Sequence, residues 1–317
     1  MKILITGSIA IDRIMVFNGK FRDVIQPDKL HLLSVSVLLD QLKDTRGGVA
    51  ANISYSLALL GEKPVLFGSV GKEAKSYMTD LQQLGVDIDH IHFSDLPIAT
   101  FTVMTDLQNC QIGGFYPGAM SDAAELSIEK FKEDDVFVVI SPHDPRQMAK
   151  QVEECKKFKK RLFYDVGQQA SNILGEDIRA GIEAAELLIV NDYEMGVLIK
   201  KTGWSKKQIQ DKVHACVVTF GEQGCVIKTP NEPELKVPAT QADQVVDPTG
   251  AGDAFRAGFL YGYLRDFHIE ECAEMGSTAA AFAIEQQGSQ AHTFTVNEFF
   301  ERYYKNYPQR KHGKKSN

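Results

Sequence analysis

Missing from this sequence are the devices by which small or secreted chains hold together without a large core. Its five cysteines, Cys110, Cys155, Cys216, Cys225 and Cys272, form no CxxC pair and none sits in zinc-ligand spacing with a histidine. That argues against a disulfide framework and a structural zinc site, and fits free buried thiols in a reducing cytoplasm. No run of about 18 apolar residues occurs, so a membrane-spanning helix is not expected. The apolar start, Met1-Lys2-Ile3-Leu4-Ile5-Thr6-Gly7, is too short for a signal peptide and has no small-residue cleavage site. Positive charge is also scarce: 35 Lys and Arg against 42 Asp and Glu give a formal net charge of -7. Nucleic acid is therefore not expected as a partner. The basic cluster Arg310-Lys311-His312-Gly313-Lys314-Lys315 reads as a frayed, solvated end. Internal repeats and low-complexity linkers are absent as well. These absences leave a soluble cytoplasmic protein as the expectation.

What is present is enough apolar material for a substantial core, since 44% of the 317 residues are hydrophobic. Apolar β-rich runs alternate with helical patterns, the signature of a mainly parallel sheet covered by helices. Strands are expected over 2–6, 64–69, 136–140, 161–165, 187–190 and 215–219. Helices are expected over 49–60, 72–84, 146–158, 192–200, 250–265 and 269–287. Two stretches break this alternation. Residues 12–46 show no clean helical period, with 30–39 ambiguous, and residues 90–116 alternate like antiparallel strands. Within the latter, 100–105 and 110–115 flank a turn at 106–109, and the two stretches could form a small projecting sheet. One expected helix carries Gly250, Ala254, Gly258 and Gly262 at every fourth position, and the next is rich in Ala273, Ser277, Ala280 and Ala281. Close helix–helix approach accounts for Gly258 and Gly262, but not for the glycines on the loop side.

Those glycines belong to Asp247-Pro248-Thr249-Gly250-Ala251-Gly252-Asp253, which leads into an apolar helix. A helix start exposes unpaired N–H groups and a partial positive charge, and both stabilise an oxyanion or a phosphate. Gly250 and Gly252 would let phosphate oxygens approach the backbone. Asp253, in the first turn, could accept a proton from an attacking hydroxyl, and phosphoryl transfer needs that pairing. A plain helix cap with a tight turn, made by Asp247 or Thr249, would use the same residues. Spacing alone leaves both readings open. No GxxxxGK[ST] occurs, so this is not a P-loop site.

Three more motifs stand in order along the chain: Gly47-Gly48-Val49-Ala50-Ala51-Asn52 (GGxxxN), Asn191-Asp192-Tyr193-Glu194 (NxxE) and Thr219-Phe220-Gly221-Glu222-Gln223-Gly224 (TxGxxG). With Asp247–Asp253 they resemble the ribokinase (PfkB) family of sugar and nucleoside kinases over nearly the whole chain. Asp247-Pro248-Thr249, and the segment Gln111 to Ser121, make the resemblance sharpest to the bacterial adenosine kinases of that family. One departure is Asp165-Val166-Gly167-Gln168-Gln169, where those enzymes have a DPSQQ-like stretch whose glutamines lie at the base.

The resemblance implies a ribokinase-like three-layer α/β sandwich with a mainly parallel central sheet and a small β-sheet lid. It implies one kinase domain over 1–317 with a discontinuous lid of about 12–47 and 92–118. Asp253 is the implied base, backed by the Gly250, Ala251, Gly252 and Asp253 amides. Asp12 and Asn52 would hold ribose hydroxyls, Gly47 and Gly48 would hinge the lid, and Phe101 and Phe115 would stack on a purine. Left open beside these are a turn for Asp12, loop punctuation for the glycine pair and a hydrophobic filling for the phenylalanines. Ser8, Ser36 and Gln169 are further substrate candidates. ATP would meet Asn191, Glu194, Thr219, Gly221 and Gly224, although an ordinary helix cap and a hairpin turn use the same patterns. Magnesium would be reached through Glu194 and Asn191, partly by water, and a potassium ion would sit near Asp247 and Thr249. Adenosine is the expected substrate and a homodimer through the lid the expected assembly. A broad nucleoside kinase, a ribose or fructose kinase, and a non-catalytic nucleoside-binding regulator are the alternatives.

Overall fold

The computed structural model describes residues 1–312. Eight strands form the large sheet, in the order Leu235–Val237, Cys225–Lys228, Ala215–Thr219, Leu187–Asn191, Arg161–Tyr164, Val136–Ile140, Lys2–Thr6, Val65–Phe67. All neighbours run parallel except at the Cys225–Lys228 and Leu235–Val237 end, where a hairpin turns the pairing antiparallel. The parallel strands are continuous apolar runs such as Val136-Phe137-Val138-Val139-Ile140, because both faces are covered. One hydrophobic core, with Ile5, Phe137 and Phe259, fills one face, and a second, with Leu4, Val138 and Tyr164, fills the other. Chain order reverses between Lys2–Thr6 and Val136–Ile140, the place in such a sheet where a crevice opens at the carboxyl ends of the strands.

A separate four-stranded sheet has the order Leu39–Gly47, Ala10–Phe17, Ala99–Thr105, Gln111–Tyr116. It draws on both stretches that interrupt the α/β alternation. His92–Ser94 does not join it but pairs in parallel with Ser69–Gly71. Residues 27–32 form a 3-10 turn that reaches only the start of the ambiguous stretch 30–39, and 33–38 have no regular structure before the Leu39–Gly47 strand begins.

The glycine ridge does what its spacing suggests. A Cβ on Gly258 would meet the Met275 carbonyl oxygen at 2.5 Å, and one on Gly262 would meet Cys272 Sγ at 3.1 Å, so the Ala251–Tyr263 and Ile269–Ile284 helices touch backbone to backbone. The basic end departs from expectation. Arg310 is not solvated but pairs through Nε with Glu274 at 2.9 Å and also with Glu270, pinning the last turn to the Ile269–Ile284 helix. Gly313, Lys314 and Lys315 lie outside the described residues. Among the described residues no helix is long and apolar enough to cross a membrane.

Candidate active site

The loops after the Lys2–Thr6, Val136–Ile140 and Arg161–Tyr164 strands, the small sheet and the Ala251–Tyr263 helix start enclose a cleft of about 520 Å³. Ser8, Pro142 and Gln169 reach it from those loops, and Asp12, Phe101 and Phe115 from the small sheet. Gly250, Gly252 and Asp253 close its floor.

The small sheet arranges its three residues by register. Asp12 pairs with Phe101 and Phe101 pairs with Phe115, so the three form one row across three strands and share a face. As register partners on one face of one sheet, the two phenylalanines suit a platform for one face of a flat ligand rather than two jaws around it. Burial pushes the Asp12 carboxyl up to about 6, and the charges of Asp253 and Asp247 push the same way.

At the floor, Gly250 sits at φ +83°, where a Cβ would also strike Ser289 at 2.6 Å, so this position is built for glycine. No side chain caps the helix start. Asp247 instead accepts from the Thr249 amide at 2.9 Å and the Gly288 amide at 3.0 Å, fixing the loop and leaving the first turn open to the cleft. The Ala251 amide is turned away, donating to the Pro248 carbonyl at 3.2 Å, and Ala251 does not line the cleft. Asp253 accepts from Asn52 Nδ2 at 2.8 Å. Burial raises its carboxyl above the usual range, opposed by Arg256 and by the Asn52 bond, while Glu194 pushes with burial.

Gly48, at φ +93°, joins the small sheet to the Val49–Leu59 helix, and a Cβ there would meet Ile9 and Ala10 backbone at 2.6 Å. Ser8 is committed to this junction, its Oγ accepting from the Val49 amide at 3.0 Å, while its own proton remains available to the cleft. Gln169 accepts from Asn172 at 2.9 Å and presents its amide group, beside Gln168, in the cleft. Ser36 is exposed, between the 3-10 turn and Leu39–Gly47, and stays outside the cleft.

Asn191 and Glu194 form a capping box: Asn191 Oδ1 accepts from the Glu194 amide at 2.7 Å and Glu194 Oε2 from the Asn191 amide at 2.9 Å. Each side chain keeps a further polar atom for other partners. Thr219, Gly221 and Gly224 belong to the hairpin between Ala215–Thr219 and Cys225–Lys228. They lie apart from the cleft lining. Among the described residues no three His, Cys, Asp or Glu gather as a metal cage. The Glu194 carboxylate and the Asn191 amide are a donor set that fits magnesium arriving on nucleotide phosphates, which asks the protein for only one or two carboxylates and water.

Sequence reasoning did not find Met120, Pro142 or Ala10 in the cleft, or Arg256 beneath it. Arg256 Nη2 donates to Asp165 Oδ1 at 2.8 Å and lies 3.8 Å from Glu194, all deeply buried. Burial raises the Asp165 carboxyl and the guanidinium pulls against it. The pair ties the DVGQQ segment to the helix of Asp253, a link readable only once both motifs share a site.

The pfkB family carbohydrate kinase profile matches residues 11–295. The chain belongs to this family. It is accordingly an enzyme, a phosphotransferase with an alcohol group as acceptor, on the ribokinase-like fold. Over 307 residues it is 30% identical to a nucleoside kinase of Methanocaldococcus jannaschii, covering 95% of this chain and 96% of that protein. The solved structure of that archaeal member of the ribokinase family covers 96% of this chain and 99% of its own, with a TM-score of 0.85 and 28% identity. A Burkholderia thailandensis nucleoside kinase in complex with inosine matches with a TM-score of 0.83 and 34% identity, over 96% of this chain and 98% of that one.

Proposed function

We propose that this family member is a nucleoside kinase that transfers the γ-phosphoryl group of ATP to the 5′-hydroxyl of a purine nucleoside, with adenosine as the leading substrate. The observation that carries this reading is the placement of Asp253, at an uncapped helix start, across one cleft from the Asp12–Phe101–Phe115 row. That geometry suits a ribose held by a carboxylate, a base laid on aromatic faces and a primary hydroxyl directed at a base and an anion hole.

In this mechanism Asp12 accepts from the ribose hydroxyls, and Phe101 and Phe115 support the purine. Asp253 takes the proton of the 5′-hydroxyl as its oxygen bonds the γ-phosphorus and the bond to the β-phosphate bridge oxygen breaks, releasing ADP. The Gly250, Gly252 and Asp253 amides steady the transferred group. Asn191, Glu194 and the Thr219–Gly224 hairpin take the nucleotide side. Magnesium, held through Glu194 and Asn191 by water, would neutralise phosphate charge, and potassium would sit beside Asp247 and the Thr249 carbonyl. The small sheet acts as a lid hinged at Gly47 and Gly48 on a single kinase unit, excluding water as it closes. Its exposed edges are the proposed seam of a homodimer in the cytoplasm.

Inosine bound to the Burkholderia kinase favours a second reading, a broad-specificity nucleoside kinase. The test is ADP release with MgATP and potassium across adenosine, guanosine, inosine, cytidine, ribose and fructose. Activity confined to nucleosides, with the matching 5′-monophosphate in the mass spectrum, is the expected result. Activity on free sugars alone would overturn the nucleoside reading, and nucleoside binding without turnover would favour a regulator.

A further inference from the structure

Behind Asp253 runs a hydrogen-bond chain that no sequence motif announces. Asn52 can donate to Asp253 in only one of the two flipped orientations of its amide. In the other, its carbonyl oxygen would face the carboxylate. The group that selects the orientation lies on the far side. Asn52 Oδ1 accepts from Gln290 Nε2 at 2.8 Å and lies 3.1 Å from Ser289 Oγ. The Ser289 hydroxyl has a single proton and also sits 3.0 Å from the Arg46 carbonyl, so it cannot serve both acceptors fully. Gln290 has two amide protons, and the second is directed at Tyr77 OH, 2.5 Å away. Tyr77 in turn donates to the Gly47 carbonyl at 3.0 Å, and burial keeps its phenol protonated. Each proton of the Gln290 amide and the Tyr77 phenol thus has its own acceptor. Turning Gln290 over would set its oxygen against Asn52 Oδ1.

We infer that Gln290, anchored by Tyr77, is a positioning residue for phosphoryl transfer: it locks the Asn52 amide with its NH2 group toward Asp253. The inference rests on Asp253 being the base. Four charged groups also face Asp253 from the surrounding elements: Arg256 from its own helix, Glu194 from the Asp192–Thr202 helix, Asp165 beyond the Arg161–Tyr164 strand, and Asp12 from the small sheet. Asn52 differs from all four, because its effect on the carboxylate changes sign with its orientation. The same chain ends on the carbonyls of Arg46 and Gly47, beside the Gly48 junction, so the setting of the base is tied to the root of the small sheet.

The experiment is the pH dependence of kcat/KM for Gln290→Ala, Tyr77→Phe, Asn52→Ala, the Asn52→Ala/Gln290→Ala double variant and Asp253→Asn. Loss of an oriented donor favours the protonated base, so the acid limb should move to higher pH. We expect a shift of about half to one pH unit in Gln290→Ala, and a smaller one of the same sign in Tyr77→Phe. Asn52→Ala should shift at least as far, and the double variant no further than Asn52→Ala alone. A residue that merely braces the loop would lower melting temperature without moving the limb. Limbs of Gln290→Ala and Tyr77→Phe that superimpose on the parent, or shifts that add in the double variant, would overturn the inference. Near-parental turnover in Asp253→Asn would overturn the base assignment itself.

Discussion

The two sheets of this molecule differ in what surrounds them. In the large sheet, Val136–Ile140 is buried along its full length and Leu187–Asn191 nearly so. In the small sheet, Gln111–Tyr116 is exposed throughout and Leu39–Gly47 over most of its length. Helices and apolar cores cover both faces of the first, while the second has a cleft on one side and solvent on much of the rest. The difference separates two tasks. The packed body can hold Asp253 and the helix start in a fixed geometry, which electrostatic stabilisation of a moving group requires. The small sheet has little core of its own, so Asp12, Phe101 and Phe115 are available to a ligand and can move with it. In the proposed mechanism chemistry is anchored where burial is deep, and recognition where it is shallow.

The largest expected effect tests that contrast directly. Amide protons of Val136–Ile140 should exchange about 10³-fold or more slowly than those of Leu39–Gly47, because local opening ranges from near zero cost to the global stability. Exchange in the small sheet should slow when nucleoside is added. Equal protection in both sheets of the free protein would remove the basis for a mobile lid. Next is Asp253→Asn, expected to lower kcat by about 10² or more with little change in nucleoside affinity. A near-normal turnover number would place the chemistry elsewhere. Phe115→Ala should do the reverse, raising KM for nucleosides about tenfold with kcat nearly intact and ribose unaffected. An equal change for ribose would return the ring to a purely structural role.

The same contrast decides what the sequence makes legible. The expected strands 2–6, 136–140 and 215–219 match the observed bounds residue for residue, because doubly covered strands are unbroken apolar runs. Half of the small sheet is legible too, since the alternation over 90–116 places strands at 100–105 and 110–115 where Ala99–Thr105 and Gln111–Tyr116 are observed, whereas 12–46 shows only as a failure of helical period. Asp12, Phe101 and Phe115 became candidates through motif resemblance, and only the register shows that they form one row. The helix Val296–Asn306 has its signal in plain view, as a capping box of Thr295 and Glu298. Gln290 and Arg256 had no comparable signal. Their importance lies in partners 238 and 91 residues away in sequence, and neither sits in a motif with a chemistry of its own.

The smallest effect concerns the link between the two regions. Asp12 belongs to the small sheet but faces Asp253 and Asp247 from the body, and burial together with those charges raises its carboxyl to about 6 from an unfolded value of 3.8. The folded protein therefore binds this proton more tightly than the unfolded chain. The stability it contributes is fully present below about pH 4 and is lost as pH rises through about 6. Asp12→Asn removes the charge and keeps the shape. Above pH 7 it should stabilise the free protein by about 1–2 kcal/mol, a figure reduced for the partial exposure of the group. Below pH 4 the two proteins should unfold alike, as followed by urea titration across pH. The same substitution should weaken nucleoside binding about tenfold, because ribose hydroxyls lose a charged acceptor. Tighter folding with weaker binding would mark Asp12 as a group kept charged for recognition at the expense of stability. Parallel losses of both would make it a structural member of the small sheet, and the division of labour between the sheets would have to be redrawn.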